Sequence, residues 1–151
     1  MSSIVLLCTD GSDVAIEALR AALPILAPAE RTIVLTVESP VDKDHTTGTG
    51  FSSGPGRSDV SDQIQTDGDE IAKRHIDATI EALGLDDAEM MAVVGDPGEA
   101  ICDVAADLEA SVVVLGSSGR GGIRRAMLGS TSDHVVRHAR CPVVVQGARH
   151  D

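Results

Sequence analysis

Ile4-Val5-Leu6-Leu7-Cys8, closed by Thr9-Asp10-Gly11-Ser12, is the stretch whose reading decides the fold. Five apolar residues in succession, with no polar face and a turn signal at the end, describe a short strand covered on both sides. Strands of that kind belong to parallel sheets sandwiched between helices. Ser12 is placed to cap the segment that follows, where Val14, Ala18, Ala21, Ala22 and Ile25 keep helical spacing over residues 13–27. Pro24 is expected to kink or end that helix, because its ring removes a hydrogen bond and collides with the preceding turn.

The same unit recurs outward from this start. Thr32-Ile33-Val34-Leu35-Thr36-Val37 predicts a second strand. A long loop over residues 38–59 follows, rich in Gly, Ser, Thr and Asp and holding the lone aromatic, Phe51. A connection of this length is unusual in a compact domain and is often functional or disordered. Ile64, Ile71, Ile76, Ile80 and Leu83 then predict an amphipathic helix over residues 60–83, ended by Gly84. His75 lies near its apolar stripe and reads as a packed or half-exposed side chain outside any site. Glu89-Met90-Met91-Ala92-Val93-Val94 predicts the third strand, Gly95-Asp96-Pro97-Gly98 a turn, and residues 99–108 a helix with Ile101, Val104, Ala105 and Leu108 inward. Ser111-Val112-Val113-Val114-Leu115 predicts the fourth strand, running into Gly116 and a glycine-rich loop as far as Leu128. A helix opens at Gly129-Ser130-Thr131-Ser132 and reaches about His138, and Cys141-Pro142-Val143-Val144-Val145 predicts the fifth strand. Strands alternating with helices in this way specify an α/β fold, a doubly wound five-stranded parallel sheet with four helices. Residues 1–151 show no linker or repeat and read as a single domain.

Composition narrows the function. With 24 acidic against 12 basic residues the net charge is −12, which disfavours a nucleic-acid backbone as partner. No run approaches the roughly 20 apolar residues that span a bilayer. Asp10 and Asp13 interrupt the first apolar stretch too early for a secretory signal, so a cytoplasmic protein is expected. Cys8, Cys102 and Cys141 are widely spaced, without metal or CxxC spacing, and read as small hydrophobes in a reducing compartment. With Phe at 1 and Trp and Tyr at 0, the core must be aliphatic. Basic residues are nearly all Arg, with Lys confined to Lys43 and Lys73. This acidic, lysine-poor balance fits a halophilic organism, where a Debye length of about 3 Å at 1 M salt makes self-repulsion tolerable. An ordinary acidic protein with GC-rich coding bias is the alternative.

In open α/β sheets ligands bind beyond the carboxyl ends of the strands, where strand order reverses. The first and fourth predicted strands end in the chemically unusual turns. The second turn reads Gly116, two residues, Gly119, nine residues, Gly129-Ser130. Glycines let the backbone approach a ligand closely, and free N–H groups at a helix start favour an anion. Ser117 and Ser130 add hydroxyls, while Arg120, Arg124 and Arg125 add positive charge. A phosphate-bearing ligand suits this set. A flexible loop with solvated arginines, or a basic patch for a protein partner, remains open on these residues alone. Leu128 stands where a Walker A loop needs Lys, the first glycine gap is too long for GxGxxG, and GxSxG is absent. Asp133, His134, His138 and Cys141 lie close in sequence but read as a helix end with surface histidines rather than a metal site.

The Gly116-x2-Gly119-x9-Gly129-Ser130 spacing resembles the G-x2-G-x9-G-[ST] signature of the ATP-binding branch of the universal stress protein family. The segment from Gly129 through Asp133, His134, Cys141 and Pro142 to Val145 is similar to that family's closing helix and strand. Ile4 to Ser12 is similar to its first strand and turn, and Gly95-Asp96-Pro97 to the entry of its third helix. Only residues 40–59 carry no signature. The resemblance implies strand order 3-2-1-4-5, as in adenine nucleotide alpha hydrolase-like folds. It implies that Asp10 contacts the adenosine part of ATP, with Thr9 and Cys8 beside it, and that the Val37 backbone reads the adenine edge. Leu115, Gly116, Ser117, Gly119, Arg120 and Gly121 would line ribose and phosphates, and Gly129, Ser130 and Thr131 would form the phosphate-binding helix start. Cys8 departs from the proline or valine of many relatives. The ligand implied is ATP, ADP or AMP, with Mg²⁺ alongside the triphosphate, and the assembly implied is a homodimer through Pro142-Val143-Val144-Val145. The resulting expectation is a nucleotide-binding stress-response sensor or regulator without efficient turnover. A slow ATPase and a nucleotide-free dimerisation module are the alternatives.

Overall fold

The computed structural model describes residues 2–38, 57–117 and 128–147, with the backbone alone over residues 57–69. Among the described residues the elements follow in this order: β1 (Ile4–Cys8), α1 (Asp13–Ala22), a 3₁₀ turn (Leu23–Ile25), β2 (Arg31–Glu38), α2 (Arg57–Leu83), β3 (Glu89–Val94), α3 (Pro97–Asp107), β4 (Val112–Gly116), α4 (Ser130–His138) and β5 (Val143–Gln146). The strands form one five-stranded sheet of order β3-β2-β1-β4-β5. Every pairing is parallel, with Leu6 beside Ile33 on one side and Val113 on the other.

Side chains alternate across a strand, and the two faces of β1 build two cores. Ile4, Leu6 and Cys8 pack with Ile33, Leu35, Val113 and Leu115 against Ile101 and Ala105 of α3 and Val135 of α4. Val5 and Leu7 pack with Val34 and Val114 against Leu19 and Ala22 of α1 and Ile76 of α2. Leu6, Leu7 and Leu19 are fully buried; each buried aliphatic of this size contributes about 1.5–3 kcal/mol. The unbroken apolar run of β1 is thus explained by helices on both sides of it.

Local chemistry sets the element ends. The Ser12 hydroxyl accepts from the Ala15 N–H at 3.2 Å, capping α1. Asp96 caps α3 by accepting from the Glu99 N–H at 3.1 Å, and Pro97 sits in the first turn, where no N–H is needed. The helix therefore starts two residues earlier than the turn motif suggested. Gly84 follows α2 with φ +64°, the left-handed conformation that ends helices.

Several sequence expectations are corrected. α1 stops at Ala22, and Pro24 lies in the 3₁₀ turn, so Ile25 is thrown outward and is 75% exposed. The inward stripe of α1 is Ala15, Ile16, Ala18, Leu19 and Ala22, while Val14 is 40% exposed. α2 begins at Arg57 rather than residue 60. Its buried stripe runs through Ala72, Ile76 and Thr79, leaving Ile71 45% exposed. β2 extends through Glu38, one residue into the expected loop. β5 begins at Val143; Pro142 precedes it, though its carbonyl still accepts from the Val113 N–H at 3.0 Å. The rest of the 38–59 loop lies outside the described residues.

Candidate functional site

β1 and β4 are adjacent, with β2 and β3 on one side and β5 on the other, so the strand order reverses between them. The chain leaves β1 for α1 and leaves β4 for α4, and both exits stand at the carboxyl edge of the sheet. A crevice between such neighbours is where this architecture binds ligands.

The β1 exit is held by a polar network. The Thr9 N–H continues the ladder by donating to the Leu35 carbonyl at 3.0 Å. The buried Thr9 hydroxyl accepts from the Gly11 N–H at 3.0 Å and shares a 3.0 Å hydrogen bond with the Thr79 hydroxyl of α2. The Thr36 hydroxyl of β2 donates to the Thr9 carbonyl at 2.7 Å. Gly11 takes φ +76°, which an L side chain rarely adopts. One carboxylate oxygen of Asp10 accepts from the Ser12 N–H at 2.9 Å and from the Ser12 hydroxyl. Asp10 is thereby fixed on a turn braced by β2 and α2.

The β4 exit is stitched to the start of α4. The Ser117 N–H donates to Gln146 of β5 at 2.9 Å, and the Ser117 carbonyl accepts from the Gly129 N–H at 2.7 Å. The buried Ser132 hydroxyl donates to the Gly116 carbonyl at 2.7 Å. Residues separated by eleven intervening positions thus meet through one backbone hydrogen bond. Gly129 caps α4 in an extended conformation without a side chain, and Ser130 and Thr131 form its first turn, half-buried to exposed. The N–H groups of that turn and the helix dipole suit an anion.

Of the residues expected to form the site, Cys8, Thr9, Asp10, Leu115, Gly116, Ser117, Gly129, Ser130 and Thr131 stand on these two exits. Val37 is the penultimate residue of β2, beside β1. Gly119, Arg120 and Gly121 lie outside the described residues, as do Arg124 and Arg125. Cys8 is buried in the α3-side core, and burial, then the neighbouring Cys102 and Cys141, pushes its thiol pKa well up. All three cysteines are free thiols. His134 and His138 stack at 4.2 Å on α4, with His134 packed on Gly98.

Four participants escaped the sequence reading. Thr36 and Thr79 brace the turn, and Ser132 ties α4 to β4. His75, read as lying outside any site, packs against Gly11: a Cβ built on Gly11 would lie 2.5 Å from the His75 ring. Its Nδ1 is 3.8 Å from a Glu38 carboxylate oxygen at the end of β2. A polar residue on a buried helical stripe needs a partner, and Thr79 carried that signal.

The comparisons with known proteins agree with this architecture. The model of the universal stress protein family matches residues 1–146, and the chain belongs to that family. It is 30% identical over 141 residues to universal stress protein MJ0531 of Methanocaldococcus jannaschii, covering 91% of this chain and 77% of that one. Its match to universal stress protein E of Escherichia coli, 49% identical over 51 residues, spans only 16% of that protein's length. Among solved structures, protein MJ0577 superposes with a TM-score of 0.73 at 22% identity, covering 100% of this chain and 99% of that one. A universal stress protein in complex with cAMP superposes with a TM-score of 0.62 at 25% identity, covering 98% of both chains. Among the described residues no helix is long and apolar enough to cross a membrane.

Proposed function

We propose that this protein binds an adenine nucleotide, ATP or else ADP or AMP, in the crevice between β1 and β4, and acts in the stress response as a sensor or regulator. The observation that carries the reading is the 2.7 Å hydrogen bond from Gly129 to Ser117. It joins the two ends of the glycine motif beside the braced Asp10 turn. The solved relative that holds cAMP supports an adenine nucleotide as the ligand class.

In this reading Asp10 receives the adenosine part, flanked by Thr9 and by the neutral wall of Cys8. The Val37 backbone reads the adenine edge. Leu115, Gly116, Ser117, Gly119, Arg120 and Gly121 line ribose and phosphates, and Gly129, Ser130 and Thr131 present N–H and hydroxyl donors to the phosphates. Mg²⁺ would accompany the triphosphate. Binding without efficient turnover is the proposed activity, with a slow ATPase, which would have to position water on a γ-phosphate, as the alternative. The same reading includes a homodimer through β5, a cytoplasmic location for its free thiols, and salt adaptation of its acidic surface.

The experiment is identification of nucleotide extracted from freshly purified protein, followed by calorimetry with ATP on the wild type and on Gly119→Val. Wild-type binding lost in a folded Gly119→Val protein is the expected result, because the added side chain occupies phosphate space. Equal ATP affinity in the two proteins would remove the site assignment. Steady-state release of phosphate would move the reading to an ATPase.

A further inference from the structure

We infer that His75 is a positioning residue for the nucleoside part of the ligand, setting the Asp10–Gly11 turn against the Glu38 end of β2; the inference rests on the nucleotide-binding reading above. Two independent ties connect α2 to that turn. The first runs through hydroxyls: the His75 carbonyl accepts from Thr79 at 2.8 Å, Thr79 meets Thr9 at 3.0 Å, and Thr9 accepts from the Gly11 N–H at 3.0 Å. The second is direct contact. The His75 Cβ, Cγ and Cδ2 occupy the space that a Cβ on Gly11 would need, at 2.8, 2.7 and 2.5 Å from it. His75 and Gly11 therefore close a ring of contacts around Thr9.

The imidazole also reaches the opposite wall. Its Nδ1 is shut off from solvent and lies 3.8 Å from Glu38 Oε1, and the two side chains are only 19% and 18% exposed. The Glu38 carbonyl is itself fixed by the Gly95 N–H at 3.0 Å. Glu38 follows Val37, the residue assigned to the adenine edge, and Gly11 follows Asp10, the residue assigned to adenosine. One side chain thus spans the two strand ends that would hold the nucleoside. The phosphate-binding exit of β4 lies on the other side of β1. A residue so placed should tune affinity for the nucleoside and leave the phosphate contribution unchanged.

The test measures AMP and ATP affinity by calorimetry on wild type, His75→Leu, His75→Asn and Glu38→Gln, with melting curves to show that each is folded. Leu keeps the bulk against Gly11 and removes the nitrogen facing Glu38. Asn keeps Cβ, Cγ and a nitrogen in the place of Nδ1. Loss of this contact, which at 3.8 Å is longer than a hydrogen bond and acts on the ligand only through the turn, should weaken binding about fivefold. The expected result is an equal loss for AMP and ATP in His75→Leu, the same loss in Glu38→Gln, and Asn within about twofold of wild type. Should His75→Leu fail to fold, Glu38→Gln against His75→Asn carries the same comparison. Wild-type affinity in His75→Leu and Glu38→Gln, a loss confined to ATP, or His75→Asn as weak as His75→Leu would each overturn the assignment while leaving nucleotide binding in place. Absence of AMP and ATP binding by the wild type would instead overturn the underlying reading, and this one with it.

Discussion

Gly11→Ala is the substitution whose cost the structure lets one calculate in parts. At φ +76° an L residue pays the left-handed penalty, about 1–2 kcal/mol. The new Cβ would also sit 2.5–2.8 Å from three His75 atoms, none of them the far end of a flexible chain. Overpacking of that kind costs about 1–3 kcal/mol. Together the two come to roughly 2–5 kcal/mol. At about 2–4 °C per kcal/mol for a domain near this size, the melting temperature should fall by roughly 4–20 °C. Two other glycines separate the parts. Gly84 has φ +64° with nothing near its missing Cβ, so Gly84→Ala should show the backbone penalty alone. Gly98 has no positive φ, but its Cβ would meet His134 at 2.8 Å, so Gly98→Ala should show the collision alone, partly offset by alanine's better helix propensity. Adding His75→Ala to Gly11→Ala should recover the collision part, a coupling of about 1–3 kcal/mol in a double-mutant cycle. Denaturant melts of the wild type and the five variants, His75→Ala alone among them, measure all of this. If Gly11→Ala is no worse than Gly84→Ala, the imidazole is not seated on the turn and the argument for α2 as its brace is wrong.

Three further expectations follow from charge and burial. The Cys8 thiol, its pKa raised chiefly by burial, should resist a thiol reagent at pH 8 until the protein unfolds. Because that pKa is raised in the fold, Cys8 contributes stability that is complete below the ordinary thiol pKa of about 8.5 and is lost as pH rises beyond it. With Tyr at 0 and Lys only at positions 43 and 73, the main company there is Cys102 and Cys141, whose thiols burial also pushes up, so Cys8→Ala should make the alkaline fall in melting temperature shallower without removing it; an unchanged fall would refute this. At the acid end, two 2.7 Å hydrogen bonds from Arg31 hold the Glu89 carboxyl below its usual pKa. Its contribution is present above about pH 4.3 and is lost as pH falls through the lowered value, so Arg31→Gln should shallow the acid limb slightly, the pair being exposed. Finally, ATP at 100 times its dissociation constant should add about 2.7 kcal/mol, roughly 5–10 °C in melting temperature. KCl should stabilise the unliganded protein by screening its charge of −12 while shrinking the ATP-induced shift. Melting curves over a grid of ATP and KCl test both, and the absence of an ATP shift at every salt where the protein is folded would remove nucleotide binding.

The parts of this fold that were legible in the sequence are those where a local pattern has one physical solution. An apolar run closed by Asp10-Gly11-Ser12 can hardly be anything but a buried strand leaving for a helix, and β1 has the bounds that run gives it. β3 likewise spans residues 89–94 as its composition suggests. The helices were less legible where alanine and proline intervene. Alanine is compatible with either face of a helix, so the α1 stripe was drawn through Val14 and Ile25, whereas Ile16 and Leu19 take the core. Pro24 then changes the angular step per residue by forcing a 3₁₀ turn, and a periodicity continued through it points Ile25 the wrong way.

The candidate site divides along the same line. The Gly11 turn and the start of α4 at Gly129-Ser130 were legible because positive φ and helix N-termini are local demands. Its braces were not, since Thr36 and Thr79 reach Thr9 from 27 and 70 residues away, and no spacing rule links them. His75 shows why. Judged from its own helix, a histidine beside an apolar stripe needs nothing more than packing. Only the topology, which lays α2 over β2 and β1, brings it onto Gly11 and within 3.8 Å of Glu38. The geometry of Asp10 therefore depends on a helix that the glycine motif does not contain. On the proposed reading, a chain could keep the whole Gly116 to Ser130 signature and still lose its nucleoside contacts through a change in α2. On that reading the glycine motif alone does not complete the site of this chain, and the Thr9–Thr79 and Gly11–His75 contacts are the part it omits.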